Sequence, residues 1–96
     1  VHIPKHVVIG GMTYQVESVP TLAGEDGRML FGQCVNSQNL IQIHGGIAPD
    51  AQEHTFFHEL LHAIVNVYEL KNDTEELVVT RFATVLYDTL KRNGII

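Results

Sequence analysis

The chain has 96 residues, enough for one domain over 1–96 with a modest core. An apolar fraction of 45% against 18% charged residues reads as folded rather than disordered. A net charge of −5, with only six Lys and Arg, all scattered, argues against a nucleic-acid binder that works by neutralising phosphates.

The first half of the chain has the marks of strands. His6-Val7-Val8-Ile9 and Met12–Val19 are β-branched and aromatic runs on either side of Gly10-Gly11. The expected strands are Val7–Ile9 and Met12–Val19. Thr21–Arg28 is expected to be a loop. Phe31–Val35 and Leu40–Ile43 are two further apolar runs. Asn36-Ser37-Gln38-Asn39 between them predicts a hairpin turn.

The second half has helical periodicity. Asp50 followed by Glu53 is a capping-box pattern and predicts a helix start. Its apolar stripe is read through Phe57, Leu61, Ile64, Val65 and Tyr68. Lys71-Asn72-Asp73 interrupts the pattern, and Asp73 or Thr74 is the expected cap of a second helix reaching about Arg92. That helix would bury Val79, Phe82, Ala83, Leu86 and Leu90 and end at Asn93-Gly94. Three to four strands in a small antiparallel sheet, followed by two helices, make an α+β chain.

No apolar run approaches the roughly 20 residues that span a bilayer, and no signal peptide is visible. A membrane partner is not expected. The opening at Val1 rather than Met is read as a trimmed start. Cys34 is the single cysteine, so no internal disulfide can form. That favours a reducing, cytoplasmic setting, with Cys34 as a small apolar strand residue. Oligomeric state has no signature here.

The chemistry concentrates in HTFFHELLHAIV, which begins at His54. Histidines four apart on a helix lie about 40° apart around its axis and about 6 Å apart along it. His58 and His62 can therefore converge on one cation, and Zn²⁺ takes imidazole nitrogens at about 2.0–2.1 Å. Glu59 lies about 100° round from His58, beside such an ion rather than in its shell. There it can act as base toward a water that the metal acidifies. H-E-x-x-H thus encodes a Zn²⁺ site and its base together.

A catalytic zinc needs a third protein ligand. The metzincin position, six residues after His62, is Tyr68, and no His follows His62. The remaining acids include Glu75 and Glu76 in the first turn of the second helix. The apolar stripe slightly favours Glu75, which also reads as a first-turn acid set by the helix dipole. Glu76 also reads as the capping-box partner of Asp73. The residues alone leave both open.

Taken together, HTFFHELLHAI and then TEELVVTRFATVLYDTLKRNG resemble the small phage and prophage zinc metallopeptidases, minimal gluzincins with a short sheet, a HExxH helix and one more helix. The likeness spans roughly residues 30–93. Glu76, Val79, Arg81, Phe82 and Ala83 match the family's second-helix pattern. The resemblance implies Glu76 as third zinc ligand with Glu75 in reserve, Glu59 as the catalytic residue, and a peptide or protein substrate. Thr80 stands where the family commonly has an acid that supports a zinc histidine; a hydroxyl there cannot stabilise an imidazolium electrostatically.

Other polar residues have plainer readings. His54 and Asn66 continue the His58–His62 stripe; His54 reads as an exposed helix residue, and Asn66 either orients His62 or lies on the surface. His2, His6 and His44 read as strand or loop residues, with His44 nearest the motif. Tyr14, Tyr68, Tyr87 and Arg81 are the residue types that could stabilise an oxyanion. The run NLIQIH, read as an edge strand, could pair with an extended peptide, and Val1–His6 could cover the groove. The rival reading is a non-catalytic zinc module that acts by binding a protein partner.

Overall fold

A computed structural model of the protein describes residues 3–70 and 75–96, with 75–80 described by their backbone alone. Four strands come first: β1 (His6–Ile9), β2 (Met12–Val19), β3 (Gly32–Val35) and β4 (Leu40–His44). Two helices follow, α1 (Pro49–Tyr68) and α2 (Glu75–Arg92). The expected α+β order is the observed one. Among the described residues no helix is long and apolar enough to cross a membrane.

The sheet order is β1-β2-β4-β3. β1 and β2 form an antiparallel hairpin through Gly10, whose φ of +59° suits glycine. β3 and β4 form a second hairpin through the 3-10 turn Asn36–Gln38, where the turn-forming residues predicted one. β2 pairs with β4 in parallel, so the sheet is mixed rather than wholly antiparallel. That pairing also places NLIQIH inside the sheet. The edge-strand reading of this run is wrong: β3 lies outside it, because the second hairpin docks on β2 through its later strand.

Strand alternation sends Val7, Ile9, Tyr14, Val16, Ile41 and Ile43 to one face, where all six are buried. The opposite face carries a polar ladder across three strands. Gln33 donates to Gln42, and Gln42 donates to Glu17 at 2.7 Å.

α1 lies on the apolar face against β3 and β4. It buries Thr55, Phe56, Glu59, Leu60, Ala63 and Ile64. Of the expected stripe Ile64 is buried and Phe57 packs against the core, but the buried face is centred about one residue earlier, on Phe56, Leu60 and Ala63, roughly 100° round the helix. Paired apolar residues, Phe56-Phe57, Leu60-Leu61 and Ile64-Val65, leave the phase undecided in sequence. In the fold Leu61 and Tyr68 are exposed instead.

The helix begins differently from expectation too. Ala48 is the N-cap, without a side-chain cap bond, and Pro49 is the first helical residue. Pro at this position loses no hydrogen bond, because its missing N–H would have had no partner in the helix. Asp50 sits inside the first turn, where its carboxylate favours the helix dipole. At the other end Glu69 takes a left-handed conformation, φ 54°, and Leu70 N–H donates to Val65 O at 3.1 Å.

α2 packs near β1 through Phe82, Val85, Leu86 and Leu90, with Thr89 buried among them. Ala83, expected in the stripe, is exposed. Asn93 then does something its turn signal did not advertise. Its side-chain oxygen accepts from Val8 N–H at 3.0 Å, and its nitrogen donates to Val8 O at 3.2 Å. One amide thereby pairs the outer edge of β1. Gly94 ends the helix at φ 67°, as predicted, with Ile95 N–H bonded back to Leu90 O at 2.9 Å. The expected caps Asp73 and Thr74 lie outside the described residues, as do Val1 and His2 and the side chain of Val79.

Candidate metal centre

His58 and His62 project from the side of α1 turned away from the core, and both are exposed. Their Nε2 atoms are 3.2 Å apart. The rings meet edge to face, with centroids 4.8 Å apart and an interplanar angle of 74°. Two nitrogens at about 2.0–2.1 Å from a tetrahedral ion would stand about 3.3 Å apart. The observed pair has about that spacing within one uninterrupted helix.

Glu59, about 100° round from His58, is turned toward the sheet and is only 7% exposed. Burial raises its carboxyl above the usual range, and the neighbouring His58 and His62 partly offset this. A cleft of about 250 Å³ opens beside it, lined by Phe31, Gly32, His54, Thr55, His58 and Glu59. The first wall is β3 and the residue before it; the second is the upstream turn of α1.

Gly32 is the site residue that sequence reasoning missed. A Cβ added there would lie 2.5 Å from Thr55 Cγ2, 3.0 Å from Gln42 O and 3.2 Å from Glu59 Cγ. No side chain fits between strand and helix at this point. A glycine inside a strand pattern often marks such a close approach, and that was the available signal.

Near Glu59 runs a part-buried polar chain. Cys34 donates to Asn36 Oδ1 at 3.2 Å, Tyr14 OH donates to the same oxygen at 2.8 Å, and Asn66 donates to Tyr14 OH at 3.2 Å. It joins the β3–β4 turn to α1 through β2. Asn66 is therefore engaged with Tyr14 rather than held for His62. Burial, and after it the charge of Glu59, pushes the Cys34 thiol up to about 11. The free Cys34 is a weak nucleophile, in keeping with its reading as a strand residue. The Tyr14 hydroxyl is also raised, chiefly by burial.

The other sequence candidates separate. Tyr14 is fully buried and bonded at both ends, so it has no free donor for a substrate. Tyr68 OH lies against Gly10, on the β1–β2 turn at the far side of the sheet. Arg81 lines a different cavity with Tyr68, Leu70, Thr84 and Val85. Tyr87 is exposed on α2. His44 is buried at the end of β4, where its Nδ1 accepts from Gly46 N–H at 3.4 Å. His6 opens β1, at the opposite edge of the sheet from β3, and Ile3, Pro4 and Lys5 line a separate cleft with Val16, Ile43 and Gln52 rather than the one beside Glu59.

The third-ligand candidates Glu75 and Glu76 occupy the first turn of α2, but their side chains, like that of Thr80, lie outside the described residues. Among the described residues no three His, Cys, Asp or Glu gather as a metal cage. Compared with models of known families, with curated proteins and with solved structures, the chain matches none.

Proposed function

We propose that the chain is a zinc-dependent peptidase of minimal gluzincin type, with His58, His62 and Glu76 as ligands and Glu59 as its general base. The observation that carries this reading is the 3.2 Å approach of the two Nε2 atoms on one exposed helix face, with Glu59 beside His58 in a cleft. Two imidazoles so close would otherwise share one hydrogen bond on a solvated surface, a weak reason to hold both.

A zinc ion held there would supply Lewis acidity toward a peptide carbonyl and would acidify a water. The chain's own residues do the rest. Glu59 takes a proton from the attacking water and returns it to the leaving amine nitrogen. Its low exposure raises its proton affinity, as the return step requires.

The substrate backbone would lie along β3. Phe31 O accepts from His44 N–H at 2.8 Å, so Phe31 and His44 are a hydrogen-bonded pair. Antiparallel alternation then turns the backbone groups of Gly32 and Cys34 away from β4. The β1 edge is partly closed by Asn93, so β3 is the edge that an extended peptide can join. A free thiol and no disulfide fit work in a reducing, cytoplasmic compartment.

The test is zinc-loaded protein on a mixed peptide pool, with products read by mass spectrometry. Glu59→Gln is expected to lower cleavage by about 10²–10⁴-fold while metal stays bound. If a biological activity survives Glu59→Gln but is lost in His58→Ala, the chain is instead a zinc-dependent binding module.

A further inference from the structure

The Asn93-Gly94 pair that ends α2 carries a chemistry beyond its turn. Asn is a labile residue, and Asn before Gly is especially prone to lose its side-chain ammonia, because no Cβ shields the attacking Gly N–H. In that reaction the Gly94 backbone nitrogen bonds to Asn93 Cγ and the Cγ–Nδ2 bond breaks. Nδ2 leaves as ammonia with the proton from Gly94 N–H, and a five-membered imide remains. Water then opens the imide at one of its two carbonyls, which leaves aspartate or isoaspartate at position 93.

The fold keeps both reacting groups occupied. Asn93 Oδ1 accepts from Val8 N–H at 3.0 Å, and Asn93 Nδ2 donates to Val8 O at 3.2 Å and to Thr89 O at 2.8 Å. Gly94 N–H donates back to Lys91 O at 3.2 Å, and Ile95 N–H to Leu90 O at 2.9 Å. The amide is thus tied to the edge of β1, while the nitrogen that would attack it is tied to the last turn of α2. The two meet only after the C-terminal turn lets go of Val8.

We infer that Asn93 is a gated deamidation site: shielded while docked on β1, converted when the C-terminal turn opens, and unable to dock in the same way afterwards. An aspartate at position 93 can still accept from Val8 N–H. It has no N–H for Val8 O or Thr89 O, so its second oxygen faces two carbonyl oxygens instead. An isoaspartate also lengthens the backbone inside the turn. Either product leaves the β1 edge unpaired, and an unpaired edge is a template for another strand. This inference is independent of the metal-site reading.

The full chain is incubated at mildly alkaline pH, and peptide mapping by mass spectrometry reads conversion at position 93. Conversion should be at least about tenfold slower in the folded chain than in the chain unfolded by urea. Urea below the unfolding midpoint should speed it progressively. So should Leu90→Ala, which loosens α2 on the sheet and leaves Asn93-Gly94 intact; should that variant not fold, the urea series on the parent decides the gate. Asn93→Asp, which has the side chain of one product, should speed hydrogen exchange at the Val8 amide at least about tenfold and lower the urea midpoint. Equal conversion in folded and unfolded chain overturns the shielding. Conversion that low urea leaves unchanged overturns the gate. Parent-like Val8 exchange and midpoint in Asn93→Asp overturn the consequence for β1.

Discussion

Gly32 on β3 lies so close to Thr55 on α1 that a Cβ at position 32 would stand 2.5 Å from the Thr55 Cγ2 atom. The contact sets how near the edge strand comes to the helix that carries the histidine pair. It also brings the strand backbone against the stem of Glu59, on the next turn of the same helix.

Gly32→Ala should therefore destabilise the fold by about 1–3 kcal/mol, the usual cost of overpacking. Urea denaturation measures it. The double change Gly32→Ala with Thr55→Ser removes the struck methyl and should recover part of the loss. An alanine variant as stable as the parent would show that strand and helix are not in close contact there.

Glu59 should destabilise the fold at neutral pH. Its folded carboxyl is raised, first by burial, so the unfolded chain gives up this proton near the ordinary value of about 4.3 while the folded chain still holds it. The unfolded state then binds fewer protons, and stability falls as pH rises from there through the raised value. Glu59→Gln carries no such proton. In metal-free protein the variant should be more stable than the parent at pH 7, by about 0.5–2 kcal/mol, and the gap should shrink toward pH 4. Denaturation at the two pH values reads both. A parent that is the more stable at pH 7 contradicts the burial of this carboxylate.

Asn93→Ala should expose the edge of β1. It removes both bonds to Val8 and a third from Asn93 Nδ2 to Thr89 O at 2.8 Å. The expected cost is about 1–2 kcal/mol, with faster hydrogen exchange at the Val8 amide. Unchanged exchange at Val8 would show that this edge is not held by the side chain.

How much of this was legible in the sequence follows from what each signal can encode. Met12–Val19 and the hairpin at Asn36–Gln38 are local: β-branched runs and turn formers write them directly. The HExxH spacing is local too, so the meeting of His58 and His62 could be foreseen from helix geometry alone. The position of β4 was not, because nothing inside Leu40–His44 names its neighbours; the parallel pairing with β2 is a long-range choice. The phase of α1 was hidden by adjacent apolar pairs, and only the packed sheet selects Phe56 and Leu60 over Phe57 and Leu61. Gly32 and Asn93 act by the absence of a side chain and by one amide, both visible only once their partners are placed.

The central claim is that His58 and His62 hold a transition metal together with an acid from α2. Elemental analysis of protein purified without chelator tests it most directly. The account predicts one equivalent of zinc in the parent chain, near none in His62→Ala, and weakened retention in Glu76→Gln. A parent chain without metal, or a full equivalent retained by His62→Ala, would contradict it.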